Sequence, residues 1–421
     1  KGSEVSCAPR VWLMTSPNSS PNPAVAAAEI AASQPLAFDD TRTAFAHRST
    51  RDLRRARWMF GLIGAPAMVA LGAKAVRLAL AIRLPLNWIL RPVFDYFCGG
   101  EDIQESLDTA VKLSQYGVKT ILDYSAEGQT GEGALNAAHD QIMSAIQSAK
   151  GDARFAFAVF KVSALSDNGL LEKVSSKASL TPEEQDAWQK VEGRVSSLCQ
   201  TAAQHDVPIM IDAEETWLQS AIDTLAETLM RRHNTGTCRV YTTAQLYRHD
   251  RLDYLQQLTD TARKEGWIAG IKLVRGAYME KERERAKAEG RPSPIQPDKA
   301  ATDRDFNAAL DFALGHLDHV NIVCGTHNEE STLKLAQDMR SKGLKPGDRR
   351  VAFAQLLGMS DNLSFNLAAS GFETAKYVPY GPLLEAIPYL IRRAEENTSV
   401  GGQTSRELEL IRQELRRRKT E

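Results

Sequence analysis

Cysteine is scarce. Five residues (Cys7, Cys98, Cys199, Cys238 and Cys324) stand far apart in 421, with no Cys-x-x-Cys pair and no Cys/His cluster at zinc spacing. That argues against a structural zinc or any other metal centre and for a reducing compartment. Net charge is nearly absent too: 52 Lys and Arg against 53 Asp and Glu leave −1, which excludes a general nucleic-acid binder. Aromatics are only 7%, yet 43% of residues are hydrophobic, so the chain is neither collagen-like nor wholly disordered and a packed core is expected. The apolar run Trp58–Ala73 contains 16 residues and no charge, short of the roughly 18–20 that a membrane-spanning helix needs. No Gly-x-Gly-x-x-Gly opens a helix after the first strand, so a Rossmann dinucleotide site has no fingerprint here.

What is present divides into four stretches. Residues 1–50 read as a mobile arm, because Ser16-Pro-Asn-Ser-Ser-Pro-Asn-Pro23 and an Ala-rich stretch supply little to pack. Taking Met14 as a native start, the arm is acidic-to-neutral until Arg42 and has no apolar core, which is poor for a mitochondrial transit peptide or a secretory signal. A bacterial cytoplasmic location is expected on that reading. Residues 51–97 join Arg51, Arg54, Arg55 and Arg57 to the apolar run and then to Lys74, Arg77, Arg83 and Arg91. Two readings stand: a buried helical hairpin packed on the main domain, or a basic amphipathic element lying on a membrane surface. Residues 98–402 form the main domain, and 403–421 a charged C-terminal helix.

From Gly117 short apolar strands alternate with longer amphipathic helices. Strands are expected at Thr120–Tyr124, Phe155–Val162, Pro208–Asp212, Cys238–Thr242, Ile268–Leu273, Val320–Cys324, Val351–Gln355 and Ala375–Val378. Eight strands alternating with helices predict an α/β fold, a (βα)8 TIM-type barrel, with a doubly wound sheet as the competitor. Two insertions are expected, at Ser166–His205 and Glu280–Arg304. In a barrel the residues at the C-terminal strand ends face the mouth. Here those ends bring Lys161, Asp212, Lys272, Arg275, Thr326, His327 and Asn328, and a later helix carries Arg392 and Arg393. Five of these are cations in a neutral protein, so the mouth should bind carboxylate, phosphate or pyrophosphate. Taken singly, each has a bland reading: a solvated face for the arginine pair, an ion-pair partner for Asp212, a satisfied barrel histidine for His327.

Together the strand-end motifs resemble the proline dehydrogenase family over roughly residues 97–400. The matching pieces are Phe160-Lys-Val-Ser-Ala-Leu165, Ile211-Asp-Ala-Glu-Glu215, Lys272-Leu-Val-Arg-Gly-Ala-Tyr278, Thr326-His-Asn328, Leu356-Leu-Gly-Met359, Tyr377-Val-Pro-Tyr-Gly381 and Tyr389-Leu-Ile-Arg-Arg-Ala-Glu-Glu-Asn397. The resemblance implies a distorted barrel that binds FAD without a Rossmann fold and oxidises L-proline to 1-pyrroline-5-carboxylate. It implies that Arg392, Arg393 and Lys161 hold the proline carboxylate, that Tyr377 and Leu356 pack on the ring, and that Asp212 and Lys272 serve the chemistry. Ala213, Gln245 and Lys272 would meet the flavin; Arg275, Gly276 and Ala277 the pyrophosphate and ribitol; Thr326, His327 and Asn328 the adenosine; and Glu396 the ribose region. Many bacterial members read Arg-Leu-Val-Lys-Gly-Ala-Tyr, so the two basic types are exchanged here and the arginine fork is replaced by a point charge. The resemblance also implies electron transfer to a membrane quinone, hence peripheral membrane contact at a bacterial inner membrane or, alternatively, at the matrix face of a mitochondrial inner membrane. The alternatives are a hydroxyproline dehydrogenase of the same family, disfavoured by the bulk of Tyr377, and a flavin-free barrel lyase or hydrolase acting on a phosphorylated metabolite.

Overall fold

A computed structural model describes residues 36–63, 87–124, 131–345, 347–399 and 403–421. Eight parallel strands close into a barrel in chain order: β1 Lys119–Tyr124, β2 Phe155–Phe160, β3 Ile209–Ile211, β4 Val240–Gln245, β5 Ala269–Val274, β6 Val320–Gly325, β7 Val351–Leu356 and β8 Thr374–Tyr380. The strands are apolar runs because both of their faces are covered; every residue of β2 is buried. Facing outward, Phe160, Ile209, Ile211, Ile271, Ile322 and Phe353 pack under the surrounding helices in one large core. Facing inward, Phe157, Tyr241 and Tyr377 interleave with Ala352, Ala354 and Ala375, so large and small side chains fill the barrel without a pore. β8 closes on both neighbours in register, with Tyr377 opposite Ile121 of β1 and Leu356 of β7.

Four expectations are corrected. β4 runs three residues further than read, so Thr243, Ala244 and Gln245 lie in the strand rather than after it; Cys238 stays outside, beside the Asn234 side chain that accepts from the Arg239 and Val240 amides. β2 stops at Phe160 rather than Val162, and Lys161, half-buried, opens a short 3-10 turn over Val162–Ala164. Neither insertion is wholly one. The helix Pro182–Gln204, started by a capping box between Thr181 and Glu184, buries Val191, Val195 and Leu198 as the crossover from β2 to β3. Likewise Lys299–Gly315 is the crossover after β5, leaving Asn168–Ser175 and Met279–Ala288 as the added helices.

Fourth, residues 36–50 are not a free arm: Phe38, Ala44 and Phe45 are buried, and these side chains dock the segment. The helix after β8, Leu383–Ser399, does not descend the barrel wall. It rides over the mouth against Asn87–Phe97 and Thr50–Ile63, and Ile103–Ser114 fills the wall beside β1 and β8 instead. These mouth helices and the C-terminal helix Gln403–Thr420 share a second core, built on Phe45, Leu53, Phe60, Phe94, Phe97, Leu390 and Ile411. The two ends of the 51–97 segment are thus docked on the main domain, while residues 1–35 and 64–86 lie outside the described residues.

Candidate active site

The C-terminal ends of the strands and the helix riding over them enclose a cavity of about 650 Å3. Of the residues expected there, Lys161, Asp212, Ala213, Gln245, Lys272, Arg275, Gly276, Ala277, Thr326, His327, Asn328, Leu356, Tyr377, Arg392 and Arg393 all line it. Glu396 belongs to the same helix, but its side chain lies outside the described residues.

At the barrel axis three side chains lock together. Lys272 of β5, 5% exposed, forms an ion pair with Asp212, which stands one residue past β3. Its ammonium also donates to the Tyr377 hydroxyl at 2.6 Å and lies 4.6 Å from that ring's centroid. A buried lysine is costly without such partners. The Tyr377 hydroxyl donates in turn to the Met210 sulfur at 3.6 Å, and burial beside Asp212 raises its pKa well above the ordinary value, so it stays a neutral phenol. The result is a fixed polar floor in a cavity that Leu356 and the cations Lys161, Arg392 and Arg393 also line.

The rest of the lining includes backbone and polar side chains engaged with their neighbours. Gln245 accepts from the Ala277 amide at 3.1 Å and donates to the Glu214 carbonyl at 2.8 Å, so its amide already braces the β5 loop. Arg275 donates to Asp303 at 2.7 Å, to the Thr326 hydroxyl at 2.7 Å and to the Ser331 hydroxyl at 3.0 Å, and stacks 4.3 Å over Phe306. It therefore ties the β5 end to the β6 end besides lining the cavity. Gly276 has φ +142°, and a Cβ there would sit 2.4 Å from the Tyr247 ring, so only glycine lets the backbone take this path along the cavity. Asn328 caps the helix Glu329–Ser341 by accepting from the Ser331 amide at 2.8 Å. His327 shares a hydrogen bond with the Ser360 hydroxyl at 3.0 Å; burial, with Lys376 and Arg393 nearby, holds its pKa down to about 3 and keeps the ring neutral.

Several cavity residues escaped the strand-end reading: Asp123 at the end of β1, Lys299 and Glu329 on helices, Ser360 and Asn362 past β7, and Arg406 and Glu407 on the C-terminal helix. Asp123 follows the same strand-end rule as the others and could have been found by it. Lys376 was also missed. It is a fully buried lysine in β8 that donates to the carbonyls of Met359 at 2.5 Å and Leu356 at 3.2 Å and pairs with Asp361 at 3.0 Å. Asp361 in turn meets Arg48 at 3.0 Å and His47 at 3.2 Å, and the charges of Lys376 and Arg48 hold its carboxylate well below the usual range. The loop that presents Leu356 and Ser360 is fixed from below by Lys376 and from the side by the docked N-terminal segment.

Fold and mouth together define a (βα)8 barrel with a cavity lined by several cations at the C-terminal ends of its strands. A sequence model of the proline dehydrogenase family matches residues 106–406. The chain belongs to that family and is an oxidoreductase. It is 35% identical over 334 residues to the carbapenem antibiotics biosynthesis protein CarD of Pectobacterium carotovorum subsp. carotovorum, covering 79% of this chain and 86% of that one. It is 40% identical over 253 residues to the mitochondrial proline dehydrogenase 1 of Homo sapiens, covering 59% of this chain and 42% of that one. Hydroxyproline dehydrogenase of Bos taurus is 32% identical over 435 residues, covering 91% and 94%. Among solved structures, proline utilization A (PutA) from Bdellovibrio bacteriovorus inactivated by N-propargylglycine shares the fold with a TM-score of 0.69 at 17% identity, over 92% of this chain and 42% of that one. This chain thus spans less than half of the human protein and of the PutA chain.

Proposed function

We propose that the protein oxidises L-proline to 1-pyrroline-5-carboxylate with FAD as its cofactor. The observation that carries this reading is that Arg392, Arg393 and Lys161 line one cavity with Tyr377 and the Lys272–Asp212 pair. Three cations suit a carboxylate, and guanidinium groups grip it through paired hydrogen bonds. The residues present also fit the cofactor. Gly276 keeps a backbone path clear along the wall, and the wall's cations suit a pyrophosphate. Gly276 and Ala277, with Arg275 and the Thr326-His327-Asn328 turn, would hold that end, and Lys272 and Gln245 the ring end. When bound, FAD supplies the acceptor for the hydride that leaves proline C5.

This chain's own residues do the positioning, which is where most of the rate advantage of such a reaction lies. Arg392 and Arg393 bind and orient the carboxylate, while Tyr377 and Leu356 set the plane of the pyrrolidine ring. Lys272 places a positive charge at the floor, and Asp212 keeps that lysine in one position. The helix Leu383–Ser399 over the mouth excludes water from the ring. Tyr377 also favours proline over hydroxyproline, since its ring occupies the space that a ring hydroxyl would need.

The electron acceptor is taken to be a membrane quinone, and the membrane-facing surface to be the mouth helices. Arg51, Arg54, Arg55 and Arg57 are exposed on Thr50–Ile63 beside Trp58, 70% exposed, and Leu384 on the next helix is 55% exposed. A basic face with an aromatic anchor suits an anionic bilayer surface. No helix among the described residues is long and apolar enough to cross a membrane. A bacterial inner membrane and the matrix face of a mitochondrial inner membrane both fit; the bacterial setting is the one proposed. Incubation with L-proline and a soluble quinone should yield the cyclic imine, trapped with o-aminobenzaldehyde. A protein that turns over trans-4-hydroxy-L-proline faster than L-proline would move it to the hydroxyproline branch.

A further inference from the structure

The cavity carries one buried carboxyl that the strand ends do not supply. Glu407 lies on the helix Gln403–Thr420, one residue beyond the stretch matched by the family model. It lines the cavity and is 5% exposed. One of its oxygens accepts from the Ser360 amide at 3.2 Å, and the other, Oε1, has no hydrogen-bond partner among the described residues. Buried polar atoms are nearly always satisfied, so an unpaired oxygen on a residue of the cavity lining points to a ligand group.

The surroundings narrow what that group is. The wall is cationic, and a carboxyl in it is the place where a phosphate or carboxylate would be least welcome. Ser360 ties Glu407 to His327, whose neutral ring cannot serve as its counter-charge. Burial and Asp361 push the Glu407 carboxyl up to about 7, against the pull of Lys376 and Arg48. A group balanced between acid and anion is able to accept from a hydroxyl or donate to one. Of the two ligands of the cavity only FAD carries hydroxyls, on its ribityl chain and its ribose.

We propose that Glu407 is a cofactor-binding residue that hydrogen-bonds a sugar or polyol hydroxyl of FAD from the C-terminal helix. This rests on the FAD reading above. The helix is placed for it by the docked N-terminal segment: Thr41 donates to Glu414 at 2.9 Å, and Arg418 donates to the carbonyls of Phe45 and Arg48, each at 2.9 Å. The end of the chain thereby becomes part of the cofactor site.

The test is FAD titration of the apoprotein by quenching of flavin fluorescence, with the apoprotein's melting temperature measured alongside. Glu407→Leu should weaken FAD binding about tenfold or more, the factor one hydrogen bond to such a group is worth, while Glu407→Gln, which can still donate and accept, stays near the wild type. FAD binding by Glu407→Leu equal to the wild type's would overturn the proposal and leave the FAD reading standing. A wild-type apoprotein that binds no FAD would remove the reading itself. Should Glu407→Leu not fold, infrared difference spectra on adding FAD decide with Glu407→Gln. A carboxyl band that shifts in the wild type and is missing from the variant supports the contact, and identical spectra refute it.

Discussion

The barrel and the layer over its mouth are built by opposite means. The barrel follows from local rules: eight apolar runs, each covered on both faces, joined by amphipathic crossovers between neighbouring strands. The mouth layer joins residues far apart in the chain, as in the hydrogen bond from Thr41 to Glu414 across 373 positions, and its interior mixes an apolar core with buried charge. The barrel's strand ends supply most of the cavity lining, and the mouth helices add Arg392, Arg393, Arg406 and Glu407. Precision at the site depends on how firmly the two are joined.

The largest effect should come from breaking that joint. Asp361→Asn leaves Lys376 buried without its carboxylate and frees Arg48 and His47 on the docked segment. Unfolding by denaturant should show a loss of about 3–5 kcal/mol, as for other buried pairs that lose one partner. A loss under 1 kcal/mol would mean that barrel and mouth layer are held together by apolar contact alone.

Next is Arg392→Met, which keeps much of the stem and removes the guanidinium. KM for proline should rise on the order of a hundredfold, matching about 2–3 kcal/mol for a charge-assisted contact, with FAD content unchanged. Loss of FAD instead would assign this arginine to the cofactor. On the barrel side, Gly276→Ala forces a side chain against Tyr247 at φ +142°. It should cost about 1–3 kcal/mol of stability and weaken FAD binding, without altering the melting of the C-terminal helix contacts.

A pH series compares the two regions through one group. The folded-state pKa of Glu407 is raised from 4.5 to about 7, so between those values the folded protein holds more of this proton than the unfolded chain does. Its contribution to stability therefore falls as pH rises through that window, by up to about 1 kcal/mol per unit, and is level above it. Glu407→Gln should lack that fall, so its stability relative to the wild type should grow from pH 4.5 to 7. A difference that does not vary with pH would show that this carboxyl is not perturbed. The smallest effect is expected outside: Trp58→Ser with Arg54→Glu should reduce sedimentation with anionic vesicles by roughly tenfold and leave proline oxidation in solution intact.

Most of the barrel was legible in the sequence because a strand covered on both faces must be an apolar run, and its polar end must then be the mouth. β6 through β8 were read within two residues of their limits for that reason, and fifteen expected site residues meet in one cavity. β4 was read too early because Cys238 and Val240 extend the apolar pattern backwards, whereas pairing with β5 extends the strand to Gln245. Lys376 hides inside a strand, where a charge reads as an interruption, and its partner Asp361 lies in the next turn of chain before it. The docking of Ala44 and Phe45 and the placement of the Glu407 helix rest on contacts between residues 41–60 and the helix Gln403–Thr420, which no local pattern encodes.

The central claim, that this cationic mouth presents proline to a flavin, is tested most directly by mixing the FAD-loaded protein with L-proline without oxygen and following flavin absorbance. Bleaching that saturates with proline and requires Arg392 at low proline concentration is the predicted result. Flavin that stays oxidised at any proline concentration would contradict it.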